Sequence, residues 1–131
     1  MKVNVEINSK QIFEEHEESE TNKCLGEITY HNNGTVLEFT EKNEEQELKF
    51  KMTILKEKII TYRNGQAMIF ELGKTTKSSI TTQYGNINMN IKTNNIKIQE
   101  VDEQIKSILL EYDIEMENQM EYKNRVEILI V

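Results

Sequence analysis

Ile28-Thr29-Tyr30-His31-Asn32-Asn33-Gly34-Thr35-Val36-Leu37-Glu38-Phe39 sets two short alternating runs on either side of a turn signal. Apolar residues at every second position give an extended chain one core-facing side, and Asn-Gly tolerates the positive φ that tight hairpins demand. The length of a hairpin loop fixes which residues pair, and paired residues point to the same face. With Asn33-Gly34 as a two-residue loop, Tyr30 pairs with Leu37 and Ile28 with Phe39, so both apolar sets share a surface. The stretch therefore reads as a β-hairpin over one apolar face.

The same pattern extends in both directions. Val3, Val5 and Ile7 alternate, as do Leu48, Phe50, Met52 and Ile54, then Ile87, Met89 and Ile91, and finally Val126, Ile128 and Ile130. Gly85-Asn86 as a two-residue loop pairs Tyr84 with Ile87, Thr82 with Met89 and Ile80 with Ile91; Asn94-Asn95 likewise pairs Ile91 with Ile98. At Arg63-Asn64-Gly65 a three-residue loop with a left-handed Gly65 is the better fit, because it pairs Ile60 with Met68 and keeps Phe70 and Leu72 on the same face. Gly73-Lys74-Thr75, read as another three-residue loop, sets Met68 against Ile80 and Phe70 against Ser78.

One stretch has two readings. Val101, Ile105, Ile108, Leu109 and Tyr112 fit a helical stripe that Asp102 could cap. Ile108, Leu110, Tyr112, Ile114 and Met116 nevertheless keep strict alternation to the end of the segment, which favours strand. The runs then lie near 2–13, 23–32, 35–41, 47–55, 59–63, 66–72, 76–84, 87–93, 96–100, 105–116 and 122–130, with one a bulged continuation or merged with its neighbour. So many sequential hairpins over one apolar face predict an all-β fold, a single antiparallel up-and-down meander closed into a barrel of about eight to ten strands, since closure removes the sheet's unpaired edges. A two-layer sandwich is the alternative.

At 131 residues the chain is expected to form one domain over 1–131. Its net charge of −7, with Arg63 and Arg125 the only arginines and the lysines dispersed among glutamates, argues against nucleic acid, whose phosphates demand clustered cations. The same charge disfavours anionic lipid, and the alternating start Met1-Lys2-Val3-Asn4-Val5-Glu6 lacks a signal-peptide or membrane-span run. A single cysteine, Cys24, excludes an intrachain disulfide and any multi-cysteine zinc site, and points to a reducing, cytoplasmic setting. Abundant Lys, Asn and Ile with no Pro or Trp suggests an AT-rich bacterial origin.

Tyr62-Arg63-Asn64-Gly65, then Met68-Ile69-Phe70-Glu71-Leu72-Gly73, then Thr82-Gln83-Tyr84-Gly85 with Met89 and Thr93, then Leu110-Glu111-Tyr112, and finally Asn124 carry a resemblance over nearly the whole chain. The sequence is similar to the YwiB-like bacterial family, an uncharacterised domain-of-unknown-function group with a calycin-like β-barrel fold. It departs from that family's pattern near Lys106, where a glycine is expected before the strand leading to Tyr112. The resemblance implies a shape related to lipocalins and fatty-acid-binding proteins, which enclose small apolar ligands. It implies no established activity, and a shared fold is a weak warrant for function.

Candidate chemistry is sparse. Glu14-Glu15-His16-Glu17-Glu18 could offer oxygen and nitrogen ligands to a cation, but its spacing selects no metal and a solvated connection is the plainer reading. Cys24 shares the parity of Ile28 and Tyr30 and reads as a buried thiol, not a nucleophile; no catalytic residue, metal site or cofactor is expected. The strand 75–84 carries hydroxyls on both faces, Thr76, Ser78 and Thr82 on one and Thr75, Ser79 and Thr81 on the other, which suits either an ordinary strand or a partly wet lumen. Arg63 could meet a ligand carboxylate, but the bulged register leaves it in the turn, exposed or salt-bridged. The expected function is a non-enzymatic binding module whose lumen, lined by Tyr62, Phe70, Thr82, Tyr84, Met89 and Tyr112, holds a small, largely apolar ligand. The alternative is a solid barrel that serves as a protein-interaction scaffold, as a monomer or a homodimer.

Overall fold

In the computed structural model, which describes residues 1–42, 47–63, 66–116 and 121–131, one antiparallel sheet holds all ten strands. They are β1 (Lys2–Ile12), β2 (Glu17–His31), β3 (Gly34–Lys42), β4 (Glu47–Ile54), β5 (Lys58–Arg63), β6 (Gln66–Glu71), β7 (Thr75–Thr82), β8 (Gly85–Val101), β9 (Gln104–Met116) and β10 (Glu121–Ile130). The order β6-β5-β4-β3-β2-β1-β10-β9-β8-β7 is a meander in which the first and last strands pair, Val5 against Ile130 and Ile12 against Lys123. The segment 101–116, open between helix and strand by spacing alone, holds the end of β8, a two-residue turn and β9, with no helix.

The sheet curls until β6 and β7 meet, and there the closure changes character. Among the described residues no backbone ladder joins them; instead the Thr76 hydroxyl donates to the Ile69 carbonyl and the Ser78 hydroxyl to the Ala67 carbonyl at 2.9 Å. The pairing of Met68 with Ile80 and Phe70 with Ser78 expected from Gly73-Lys74-Thr75 is therefore not formed. The turn is Glu71–Lys74, closed by a Lys74 N–H to Glu71 carbonyl bond at 3.0 Å, with Gly73 at φ 77°. The hydroxyl-rich β7 thus supplies the hydrogen bonds that a backbone ladder supplies elsewhere.

Three further loops differ from their expected positions, two of them harmlessly. The β2–β3 turn is Asn32-Asn33, pairing Ile28 with Leu37 and Tyr30 with Thr35. Gly34 lies inside the strand, where an added Cβ would sit 2.7 Å from the Ile54 carbonyl oxygen, so this glycine serves a close approach instead of the turn. The β7–β8 turn is Gln83-Tyr84, pairing Ile80 with Ile87 and Ser78 with Met89. Both loops move the register by an even number of residues and leave the inward face unchanged.

At the β5–β6 hairpin the parity does change. Ile60 pairs with Ile69, Tyr62 with Ala67 and Arg63 with Gln66, which is the register of a two-residue connection; the bulge expected at Gly65 lies outside the described residues. β5 is apolar on both faces, so alternation alone cannot orient it. The pairing of Ile54 with Ile59, and of Ile59 with Phe70, turns Ile59, Thr61 and Arg63 inward and Tyr62 outward.

Asn94-Asn95 forms no hairpin. β8 runs through it, pairing Ile91 with Ile114 and Ile98 with Ile108, and a bulge between Thr93 and Asn95 absorbs one residue. The extra residue keeps Ile91 and Thr93 on the same inner face as Ile96 and Ile98, and it bends the strand in the sense that closure needs. A second irregularity, where Gln99 pairs with Ser107 and Glu100 with Ile105, passes over Lys106. Ile105 and Ile108 are thereby both buried, which is why their spacing imitates a helix.

The end of the barrel where β1 begins is filled by side chains. Val5, Ile28, Leu37, Ile54, Ile59 and Ile108 are all buried there, each contributing about 1.5–3 kcal/mol of apolar transfer energy. Tyr30 spans this base, its hydroxyl accepting the Ile105 N–H at 2.9 Å, and the Met1 and Ile28 backbones exchange hydrogen bonds beside it. The β8–β9 turn at this end is Asp102-Glu103 with φ values of 53° and 65°, a left-handed conformation that costs a glutamate more than it would a glycine.

Candidate functional site

The opposite end, where β1 ends and β2 begins, is not filled. A cavity of about 410 Å³ opens there between the walls of the barrel. Its deeper wall is apolar: Phe39, Phe50, Met52, Met68, Phe70 and Ile128, with Phe39 and Phe50 stacked at 4.6 Å between centroids. Alternation brings each of these inward, and the same alternation explains why the lining turns polar near the mouth. β1 continues Val5-x-Ile7 into Ser9 and Gln11, β3 continues Leu37-x-Phe39 into Glu41, and β5 continues Ile59-x-Thr61 into Arg63. The inward face stays inward while its chemistry changes.

A transverse row makes this change sharpest. Thr93, Tyr112, Asn124 and Gln11 occupy matched positions on β8, β9, β10 and β1, each the cross-strand partner of the next. Thr93 is 1% exposed and Asn124 6%, and neither the Thr93 hydroxyl nor the Asn124 Nδ2 amide has a hydrogen-bond partner among the described residues. A buried polar group without a partner costs on the order of 1–3 kcal/mol. Asn124 is also one of the residues that line the cavity, so its orphaned donor belongs to the cavity wall.

Across the lumen from this row stands Arg63. Its Nη2 contacts the Glu41 carboxylate at 3.3 Å, longer than a tight charge-assisted bond, and both side chains keep access to solvent. Burial drives the Tyr112 phenol well above its ordinary range, the Tyr122 phenol adds to the shift, and the Arg63 charge offsets part of it. Tyr112 therefore stays a neutral hydroxyl at physiological pH. Its ring packs on Phe70 at 4.6 Å with a 58° tilt. Cys24 also lines the cavity; burial and then the Glu41 carboxylate push its thiol up, so it is a poor nucleophile.

Of the residues expected to line a lumen, Phe70 and Tyr112 do so. Met89 is buried in the core but outside the cavity wall. Tyr62 is on the outer face and 43% exposed, a direct result of the one-residue change in the β5–β6 register. Tyr84 is at the tip of the β7–β8 turn and 91% exposed, because that turn falls on it instead of after it. Thr82 pairs with Gly85 through its backbone, and its side chain lies outside the described part of the structure. Arg63, expected in a turn, ends β5 with its side chain at the mouth.

A partly wet lumen was one reading of the hydroxyls on β7, but Gln11 and Asn124 were not among its expected lining, although their signal was present. Gln11 and Asn124 sit on the inward parity of Val5-x-Ile7 and Val126-x-Ile128, and a polar residue that keeps a core parity is the mark of a lumen. The acidic stretch 14–18 spans the β1–β2 connection and the first two residues of β2. There the His16 ring stacks on Phe13 at 4.6 Å, its Nε2 lies 3.6 Å from Glu18, and Lys10 pairs with Glu17 at 3.1 Å. Among the described residues no helix is long and apolar enough to cross a membrane.

The profile of a domain of unknown function, DUF1934, matches residues 5–128 of the chain. Among solved structures, the ywiB protein from Bacillus subtilis superposes with a TM-score of 0.75, covering 98% of this chain and 90% of that one at 14% identity. At that identity the likeness concerns the barrel and its strand order alone. No curated protein matches the chain.

Proposed function

The chain belongs to the DUF1934 family of domains of unknown function, and on that premise we propose that its barrel is a cytoplasmic, non-catalytic module that binds a small amphipathic molecule in the lumen. The observation that carries this reading is the asymmetry of the interior: one end filled by isoleucine, leucine and valine, the other holding a cavity of about 410 Å³. Ligand sites usually run from roughly 300 to 1,000 Å³ and combine an apolar wall with a few polar groups that orient the guest. Phe39, Phe50, Met68 and Phe70 form such a wall, and Arg63, Tyr112 and Asn124 are such groups.

A binding role, not a catalytic one, is supported by the chemistry of the lining. Its thiol is held protonated by burial and its tyrosine is held neutral, so neither is poised to attack or to take a proton. Native mass spectrometry of the purified chain, followed by thermal-shift screening against lipids and metabolites, tests the proposal. We expect a copurified or stabilising small molecule whose presence slows alkylation of Cys24. A chain without any bound molecule, unshifted by every compound and alkylated at the same rate throughout, refutes it.

A further inference from the structure

The polar end of the lumen narrows the class of guest, an inference that rests on the binding role above. We propose that the lumen selects a singly charged carboxylate, whose head group takes the Arg63 guanidinium together with the Asn124 amide while its tail lies among Phe39, Phe50, Met68 and Phe70.

The argument starts from what each group lacks. Arg63 carries a planar fork of N–H donors, of which one nitrogen is engaged by Glu41 at 3.3 Å among the described residues. That fork matches the two oxygens of a carboxylate. Asn124 is 94% buried, since 6% is exposed, and its Nδ2 donor has no partner among the described residues, so it too calls for an acceptor. Tyr112, its cross-strand neighbour, supplies a neutral hydroxyl at the same level. A carboxylate has enough lone pairs to accept from all three, whereas an alcohol or an amine does not.

Charge decides between anions. Glu41 and Glu20 both line the mouth, so a dianionic phosphate would stand beside two carboxylates with Arg63 and Lys23 as the lining cations. One negative charge is what Arg63 can take on while keeping its contact with Glu41. The volume agrees, because about 410 Å³ suits a short chain and not a long acyl tail.

Matched probes test this on the full chain by isothermal titration calorimetry: octanoate, 1-octanol and octyl phosphate, with Cys24 alkylation locating each in the lumen. We expect octanoate to bind at least tenfold more tightly than octanol or octyl phosphate, and Arg63→Gln to abolish that preference by weakening octanoate far more than octanol. Asn124→Leu, which removes an orphaned donor and so folds at least as well, is expected to weaken octanoate more than octanol. If octanol binds as tightly as octanoate in the lumen, or if Arg63→Gln leaves their ratio unchanged, the carboxylate inference fails and the binding role survives. Preference for octyl phosphate overturns the inference in favour of a dianion. If no probe protects Cys24 and no molecule copurifies, the binding role fails and takes the inference with it.

Discussion

Replacing Asn124 with leucine is expected to make the protein more stable, and the size of the gain follows from the site. The wild-type amide is buried at 6% exposure with Nδ2 unpartnered among the described residues. An unmade hydrogen bond of this kind costs about 1–3 kcal/mol, and an apolar replacement removes it. Leucine is larger than asparagine, but the side chain borders a cavity of about 410 Å³, so the added volume enters space instead of straining the core. A net gain of about 2 kcal/mol is therefore expected. With an unfolding entropy of about 2.1 cal/mol/K per residue, a chain of 131 residues converts that gain into a Tm rise of roughly 7 °C. Urea unfolding of both proteins, fitted with a common m-value, measures it. An unchanged or lower midpoint would show that the amide is satisfied in solution, and the reasoning from an orphaned donor would collapse. A gain in stability coupled to a loss of binding is the signature of a residue retained for its guest and not for the fold.

Further perturbations probe other parts of the barrel. Glu103→Gly relieves a φ of 65° in the β8–β9 turn and is expected to stabilise by about 1 kcal/mol, read from the urea midpoint; a loss would mean the turn does not adopt the left-handed conformation. Tyr30→Phe strips the acceptor from the Ile105 N–H and is expected to cost about 1–2 kcal/mol, with faster amide exchange at Ile105 as the specific readout. Tyr112 is expected to ionise last in an alkaline absorbance titration, because burial raises its phenol. Its folded pKa lies above the unfolded value of about 10, so its contribution is fully present below pH 10 and stability declines as pH rises beyond it. A Tyr112→Phe variant whose alkaline unfolding matches wild type would contradict that assignment.

Period-two spacing made the all-β meander legible because side-chain parity survives errors in loop position. The β2–β3 and β7–β8 turns fall on Asn32-Asn33 and Gln83-Tyr84, before the glycines that signal them, yet Ile28, Leu37, Ile80 and Met89 keep their face. Bulges were harder to read, since an extra residue looks like a turn at Asn94-Asn95 and like a helix at Ile105-x-x-Ile108. The site suffered most from the one odd displacement. β5 offers Ile59 and Ile60 as rival core residues, and choosing Ile60 exchanges Tyr62 for Arg63 in the lumen. That choice depends on how Ile59 packs against Ile54 and Phe70, a tertiary preference that no local spacing records. The orphaned amide of Asn124 is likewise a property of its surroundings, visible only when β8, β9, β10 and β1 stand side by side.

The pairing of the first strand with the last has a consequence for how the molecule comes into being. β1 bonds β2 along one edge as soon as that hairpin is made, but its other edge waits for β10, more than a hundred positions further along the chain. Nascent chains therefore carry an unsatisfied β1 edge through most of synthesis, and closing so long a loop places this barrel among slow, high-contact-order folders. Lys2, Glu6 and Lys10 are spaced along β1, so charge sits on the waiting edge. Charged side chains on an exposed edge discourage the wrong neighbour from pairing first, protecting the chain during the interval before β10 arrives.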